Sequence, residues 1–457
     1  MKNKTRNGAG LAGLALLVLG AYSLSTAAPA PAPALVGPNV ITQLPWVIYE
    51  SGYYVIDENL TGSQGISVEA SDVVIDLCGF TIKSDGSSSA RGVYFIGSFT
   101  NVTVKNGTVL AWDGGGVQLP ANSKAQDLHI RSCGNGGLRV GNRSIVERCN
   151  MDLNAERSLS TGEDSIVKCC RVNSNGTERL VAFLDHGTVA HDLHVIGGET
   201  AIFCGQGVQL NRCKAEARGS RGIATGSHAL LQNCSVSPAE GESAAAGIQV
   251  GAFSRVETCA VWDVGGVGIQ AGAHGTVADS SVSGVGETGI LVDEASEVTA
   301  CMVNACNETG AVGGAGIRGG HEVVVRGARA SHNQGPGIHL EGSGGRVEGC
   351  SAYGNSQHGI LLTDGAVAER NSSHHNLLAG IHVTGSDQVL WRNYAHENQD
   401  GVSIIGVRNV VTENHATKNT GQDFIVPWGN PRGPFDESMA QVPAGKPRSN
   451  YETPLGY

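Results

Sequence analysis

Residues able to do chemistry recur in the last third of this 457-residue chain at nearly equal steps. Arg318 and His339 are 21 residues apart, and His382 follows 43 residues later, about two further steps. Glu341, His358 and Asp364 lie in the same stretch. Imidazole and carboxylate groups together can hold a metal ion or a sugar, and both can exchange protons. Solvent-facing positions also carry such residues for solubility alone. Equal steps bring these groups side by side only if the chain returns to the same place after each step.

Two further histidine groups carry less. His332, His374, His375, His396 and His415 suit solvated turn positions, and His186, His191 and His194, with Asp185 and Asp192, fit no zinc spacing. No metal centre is expected. Twelve cysteines form an even number, which in an exported chain suggests disulfides. Most of them, however, share one repeat position with Asp, Ser, Ala and Asn, which points to buried free thiols acting as small hydrophobes. Neighbouring turns about 4.8 Å apart still leave bridges such as Cys149 with Cys170, or Cys213 with Cys234, geometrically open.

The element that positions these groups is a repeat. A four-residue unit begins at Gly116, Gly137, Gly222, Gly247, Gly268, Gly289, Gly316, Gly337, Gly359, Gly380 and Gly401, mostly continuing with Ile, a variable residue and another apolar one. From Gly247 onward the steps are 21, 21, 27, 21, 22, 21 and 21 residues. Degenerate copies are placed at Ser158, Leu180 and Ala201. A second column follows each tetrad: Cys149, Cys170, Asp192, Cys213, Cys234, Cys259, Ser280, Cys301, Ala328, Cys350, Asn371, Asn393 and Asn414. A third contains Asn154, Asn175, Cys306, Asn333, Asn355, Asn376, Asn398 and Asn419.

Alternating apolar residues in so short a unit mean three brief strands and three turns per repeat. Such a unit satisfies its backbone only by stacking, and stacked asparagines bond along the pile. The expected fold is therefore all-β: a single-stranded right-handed parallel β-helix of about 16 coils between Gly65 and Gly401, right-handed because parallel crossovers are. The residue two after each tetrad start faces outward. That column reads Gln118, Arg139, Ser160, Ala182, Phe203, Ala224, Gln249, Gln270, Leu291, Arg318, His339, Leu361, His382 and Ser403. Two longer coils, extended over 238–245 and 308–315, project from one side.

Lys2, Lys4 and Arg6 before an apolar run from Leu11 to Leu24 and small residues to Ala28 read as a signal peptide. The expected organisation is a signal over 1–28, an Ala/Pro linker over 29–37 and an N-terminal cap over 38–64. The β-helix then covers 65–420, and a C-terminal cap and tail covers 421–457. Loss of the three basic residues moves the formal charge from −11 to −14. An acidic surface disfavours nucleic acid. No segment reaches the roughly 20 apolar residues of a membrane span. A monomer in the extracellular or periplasmic space is expected.

Gly52 to Ile56, followed by Ile66 to Val68, Val73 to Ile82 and Val102 to Gly107, resembles the opening coils of right-handed β-helix repeat proteins of the pectate-lyase-like superfamily. The Gly-Ile tetrads and Asn columns continue the likeness to about residue 420. The resemblance implies the fold, and superfolds of this kind host many functions. The catalytic strings of polygalacturonases and of alginate epimerases are missing. A pectate-lyase set of Arg with Asp or Glu around calcium is too scattered to trace, so calcium is the one cofactor left open. The expected function is binding of glycan or cell-surface material without catalysis, with a polysaccharide lyase or glycoside hydrolase acting on a sheet face as the alternative. Arg318, His339, Glu341, His358, Asp364 and His382 are the candidate ligand-binding residues.

Overall fold

The structure, a computed structural model, describes residues 38–174, 180–240, 244–431, 435–436 and 450–453. The expected signal and linker over 1–37 lie outside the described residues, as does Asn175.

Each coil carries three strands, one per face. Ile248–Val250, Arg255–Glu257 and Ala260–Trp262 are one such set. They pair in parallel with Ile269–Ala271, Thr276–Ala278 and Ser281–Ser283 of the next coil. Eighteen strands stack on the tetrad face. The protein is a right-handed parallel β-helix of about 18 turns, close to the 16 read from the repeat. The surplus comes from the ends, where Trp46–Ile48 already pairs with Ile66–Val68 and Phe424–Ile425 still pairs with Asp400–Ile404. At about 4.8 Å per turn the stack is roughly 80 Å long.

The core is a set of columns. Ile248, Ile269, Ile290, Ile317, Ile338, Ile360 and Ile381 stack in register, all buried. The tetrad glycines follow from the close approach of adjacent coils. A Cβ on Gly247 would lie 2.3 Å from the Gly268 carbonyl oxygen, and one on Gly268 would lie 2.6 Å from that of Gly289.

The bend between the second and third faces is made by a single left-handed residue, such as Arg148 (φ 52°), Arg212 (φ 52°) or Arg392 (φ 56°). The column residue that follows donates back across this bend. Cys170 Sγ lies 3.2 Å from the Lys168 carbonyl, Cys259 Sγ 3.2 Å from that of Glu257, and Ser280 Oγ 2.8 Å from that of Ala278. A short side chain with one donor suits the position, which explains why Cys, Ser and Asn replace one another there, while Leu193 and Ala328 fill it by volume alone.

In the C-terminal coils both asparagine columns form continuous ladders. Nδ2 of Asn333, Asn355 and Asn376 donates to Oδ1 of Asn355, Asn376 and Asn398 at 2.9 Å each. Asn371 to Asn393 and Asn393 to Asn414 repeat this at 2.9 Å.

One stretch departs from the expected register. Ser160 pairs with Phe183, and Phe183 with Phe203, so Phe183 and not Ala182 occupies the outward column. Arg171 and Lys214 both pair with His194, which puts Leu193 and not Asp192 in the corner column. The coil spanning 159–182 is one residue longer than its spacing suggested and the next is correspondingly shorter. No glycine marks these tetrads, so the slip left no trace in the pattern.

Candidate functional site

The outward column of the tetrad face places Arg318, His339, Leu361, His382 and Ser403 on successive coils. Glu341, two residues after His339, reaches back along this face. Its Oε2 accepts from Arg318 Nη2 at 2.8 Å, and its Oε1 lies 3.5 Å from His339 Nδ1. The carboxylate thus bridges guanidinium and imidazole. His339 is only 9% exposed. Burial holds it below the usual histidine range, with the Arg318 charge acting the same way and Glu341 opposing.

His358 and His382 form the other half. Their rings stack at 4.3 Å with 9° between planes. The Ala379 backbone N–H donates to His358 Nδ1 at 3.2 Å, so the neutral ring carries its proton on Nε2. Burial first, then the neighbouring His382 and His339, push His358 down to about 4. Burial also lowers His382, against the Ser403 backbone and Asp400. All three imidazoles are therefore neutral at pH 7.

Of the six residues singled out by sequence, five come together. Asp364 does not: it is exposed in the turn after its strand, on the side of Arg408, whose charge is favoured first by Asp387 and also by Asp364. Gly313, in the long coil insertion, approaches Arg318: a Cβ there would lie 3.3 Å from Nη1. The insertion over 308–315 thus flanks the patch, and its extra length was the signal for it. Asp400 beside His382 was not singled out by the repeat, because it precedes the tetrad.

The remaining histidines divide. On the third face, Tyr353 and His374 stack at 5.1 Å and His374 and His396 at 4.8 Å, forming a ladder along the axis. His194 pairs with Glu216 at 3.1 Å while His186 approaches Asp185 at 3.7 Å, so that sequence cluster is dispersed. Among the described residues no three His, Cys, Asp or Glu side chains are grouped as a metal site. Likewise, no helix among them is long and apolar enough to cross a membrane. All twelve cysteines are free thiols, ten of them buried.

Fold and register together define a right-handed parallel β-helix protein, and residues 246–390 and 288–431 match the family described as the right handed beta helix region. Similar solved structures include a double mutant of the periplasmic alginate epimerase AlgG, 13% identical over 58% of this chain and 75% of that one, with a TM-score of 0.39. The A-module of the Azotobacter vinelandii mannuronan C-5 epimerase AlgE4 is 13% identical over 70% of this chain and 81% of that one, with a TM-score of 0.36. A mannuronic acid specific polysaccharide family 6 lyase from human gut microbiota is 11% identical over 89% and 86%, with a TM-score of 0.23. Likeness at this level assigns no activity. No curated protein matches the chain.

Proposed function

We propose that this protein is an exported β-helix that binds glycan on its tetrad face, at the patch of Arg318, His339, Glu341, His358 and His382. One observation carries the reading. Three of the nine buried side-chain atoms without a hydrogen-bond partner among the described residues fall in this patch: Arg318 Nε, His339 Nε2 and His382 Nδ1. Buried polar atoms are normally partnered, and leaving one bare costs about 1–3 kcal/mol. A ligand rich in hydroxyls supplies the missing partners, since each hydroxyl both donates and accepts, as a neutral imidazole does.

The reading is tested by retention of the full chain on immobilised neutral and acidic polysaccharides, with and without calcium. Replacing His339 and Glu341 together by Ala is expected to abolish retention while leaving the melting temperature in place. Unchanged retention sinks the proposal.

A second reading, cleavage by a lyase or hydrolase, has one observation in its favour. A neutral His339 beside the Arg318 guanidinium could take a proton while the guanidinium stabilises the anion left behind. Release of new products from a retained polysaccharide selects this reading; retention without products selects binding alone.

A further inference from the structure

A groove of about 440 Å³ opens on the tetrad face near its N-terminal end, far from the imidazole patch, and Arg91, Arg139 and Arg157 line it. The arginines come from two kinds of position. Arg139 is in the outward column, paired with Gln118 on one side and Ser160 on the other. Arg157 immediately precedes the tetrad start Ser158, and Arg91 holds the same place before Gly92, whose following residue Val93 pairs with Val117 on the tetrad face.

These guanidinium groups are held but not neutralised. The Arg91 guanidinium lies 5.7 Å from the Tyr94 ring centre and that of Arg157 4.8 Å from the Phe183 ring centre. At the bend between the second and third faces Arg148 and Arg212 are held by Asp127 and Asp192. Arg91, Arg139 and Arg157, by contrast, have no carboxylate partner within ion-pair distance among the described residues. A single carboxylate, Glu156, also lines the groove, against the three arginines. In a chain of formal charge −11 this is a local reversal of sign.

The remaining lining suits a carbohydrate. Gln118, Asn135 and Ser160 offer donors and acceptors for hydroxyls. The turns at Gly114–Gly116 and Asn135–Gly137 are short, and left-handed Gly115 (φ 120°) and Gly136 (φ 90°) keep side chains out of the opening. A nucleic acid fits less well: the one lining aromatic ring, Tyr94, is already covered by Arg91, and the acidic remainder of the chain repels a polyphosphate.

We propose that this groove is a second binding site, for an acidic glycan whose carboxylate or sulfate groups are held by Arg91, Arg139 and Arg157 and whose hydroxyls bond to Gln118 and Ser160. Guanidinium is suited to planar, bidentate recognition of such groups, and stacking on a ring fixes its plane in advance. The site is separate from the imidazole patch and stands or falls without it.

The test is calorimetric titration of the full chain with an oligouronate, a sulfated oligosaccharide, a neutral oligosaccharide and a single-stranded oligonucleotide. Three proteins are compared: the natural chain, Arg139→Gln with Arg157→Gln, and His339→Ala with Glu341→Ala. The arginine variant is expected to weaken the acidic oligosaccharides about tenfold or more with an unchanged melting temperature. The histidine variant is expected to retain them. Whether uronate or sulfate binds tighter identifies which anionic group the groove takes. Glutamine already occupies the column of Arg139 at Gln118, Gln249 and Gln270, so the coil accepts it there. The proposal is overturned if the arginine variant binds as the natural chain does, if the neutral oligosaccharide binds equally, or if the oligonucleotide is preferred. It also fails if only the histidine variant loses the acidic ligands.

Discussion

The N-terminal and C-terminal coils share one backbone path but are built from different side chains, inside and out. Around Cys149–Cys259 the corner behind the tetrad face is filled by thiols, each donating weakly to a carbonyl across the bend. Further along, the same corner holds Asn371, Asn393 and Asn414 bonded to one another at 2.9 Å, and the corner after the third strand holds a second asparagine ladder from Asn333 to Asn419 at 2.9–3.2 Å. Outside, the N-terminal end of the tetrad face presents permanently charged guanidinium groups, and the C-terminal end presents neutral, half-buried imidazoles. The geometry of a coil is thus insensitive to which short donor fills its corner. What distinguishes one part of the helix from another is the strength of the coupling between coils and the chemistry of the outward column.

The comparison breaks first at the ladders. Asn376 donates to Asn398 Oδ1 and accepts from both the backbone N and the Nδ2 of Asn355. Asn376→Ala would leave the buried Asn355 backbone N–H without an acceptor and remove one of the two bonds at Asn355 Nδ2 and one of the two at Asn398 Oδ1, and is expected to destabilise by about 3 kcal/mol. Cys213→Ala removes only long Sγ contacts of 3.6 Å to Asn211 and Ala190 and leaves a small void, for about 1 kcal/mol. Urea unfolding of both variants measures the difference. Equal losses would mean that the asparagine ladder couples its coils no more strongly than the thiols do.

Acid sharpens the same contrast. An imidazole whose folded pKa is depressed stabilises the fold fully above its unfolded value near 6.5; that stability drains as pH falls toward the folded value. For His358 the folded value is about 4, so the window runs from about 6.5 down to about 4. The loss is about 1–2 kcal/mol after discounting for its partial exposure. His339 and His382 act in the same direction. The N-terminal groove is lined by no imidazole. Hydrogen exchange at pH 7.5 and pH 4.5 should therefore show protection falling around residues 338–383 and holding around 117–160. His358→Gln should shrink the difference; a uniform loss along the stack refutes the assignment.

How much of this was legible in the sequence depended on what marked each position. The tetrads with glycine gave the correct register because an atom beyond Cα has no room there. Of the three tetrads without glycine, those at Ser158 and Ala201 hold their register and the one between them is off by one residue at Phe183, as is the corner residue Leu193 that follows it, since period alone cannot locate an added residue. The imidazole patch was visible because its members share the outward column or sit next to it. Asp364 was drawn in wrongly, because the chain has already turned away from the face at that point. The arginine groove escaped notice because two of its members precede the tetrad, as His358 and Asp400 also do. The residue before each tetrad start, read as a column of its own, joins these groups.

The smallest effect is expected where the corner column exchanges one donor for another. Cys259 is followed one coil later by Ser280, whose Oγ accepts from the Cys259 backbone N–H at 3.1 Å and donates across its own bend. Serine is therefore already at home in this column. Cys259→Ser keeps a donor to the Glu257 carbonyl, which the thiol now reaches at 3.2 Å, and exchanges a soft sulfur for a smaller, more polar oxygen. The hydroxyl is the stronger donor but is more expensive to bury, and the two terms nearly cancel, leaving a change below about 1 kcal/mol. Cys259→Val fills similar volume without a donor and is expected to cost more, because the Glu257 carbonyl is left with only the Asn233 backbone N–H as a donor. If valine were tolerated better than serine, the column would be an apolar filler, and the hydrogen bond across the bend would have no part in choosing its residues.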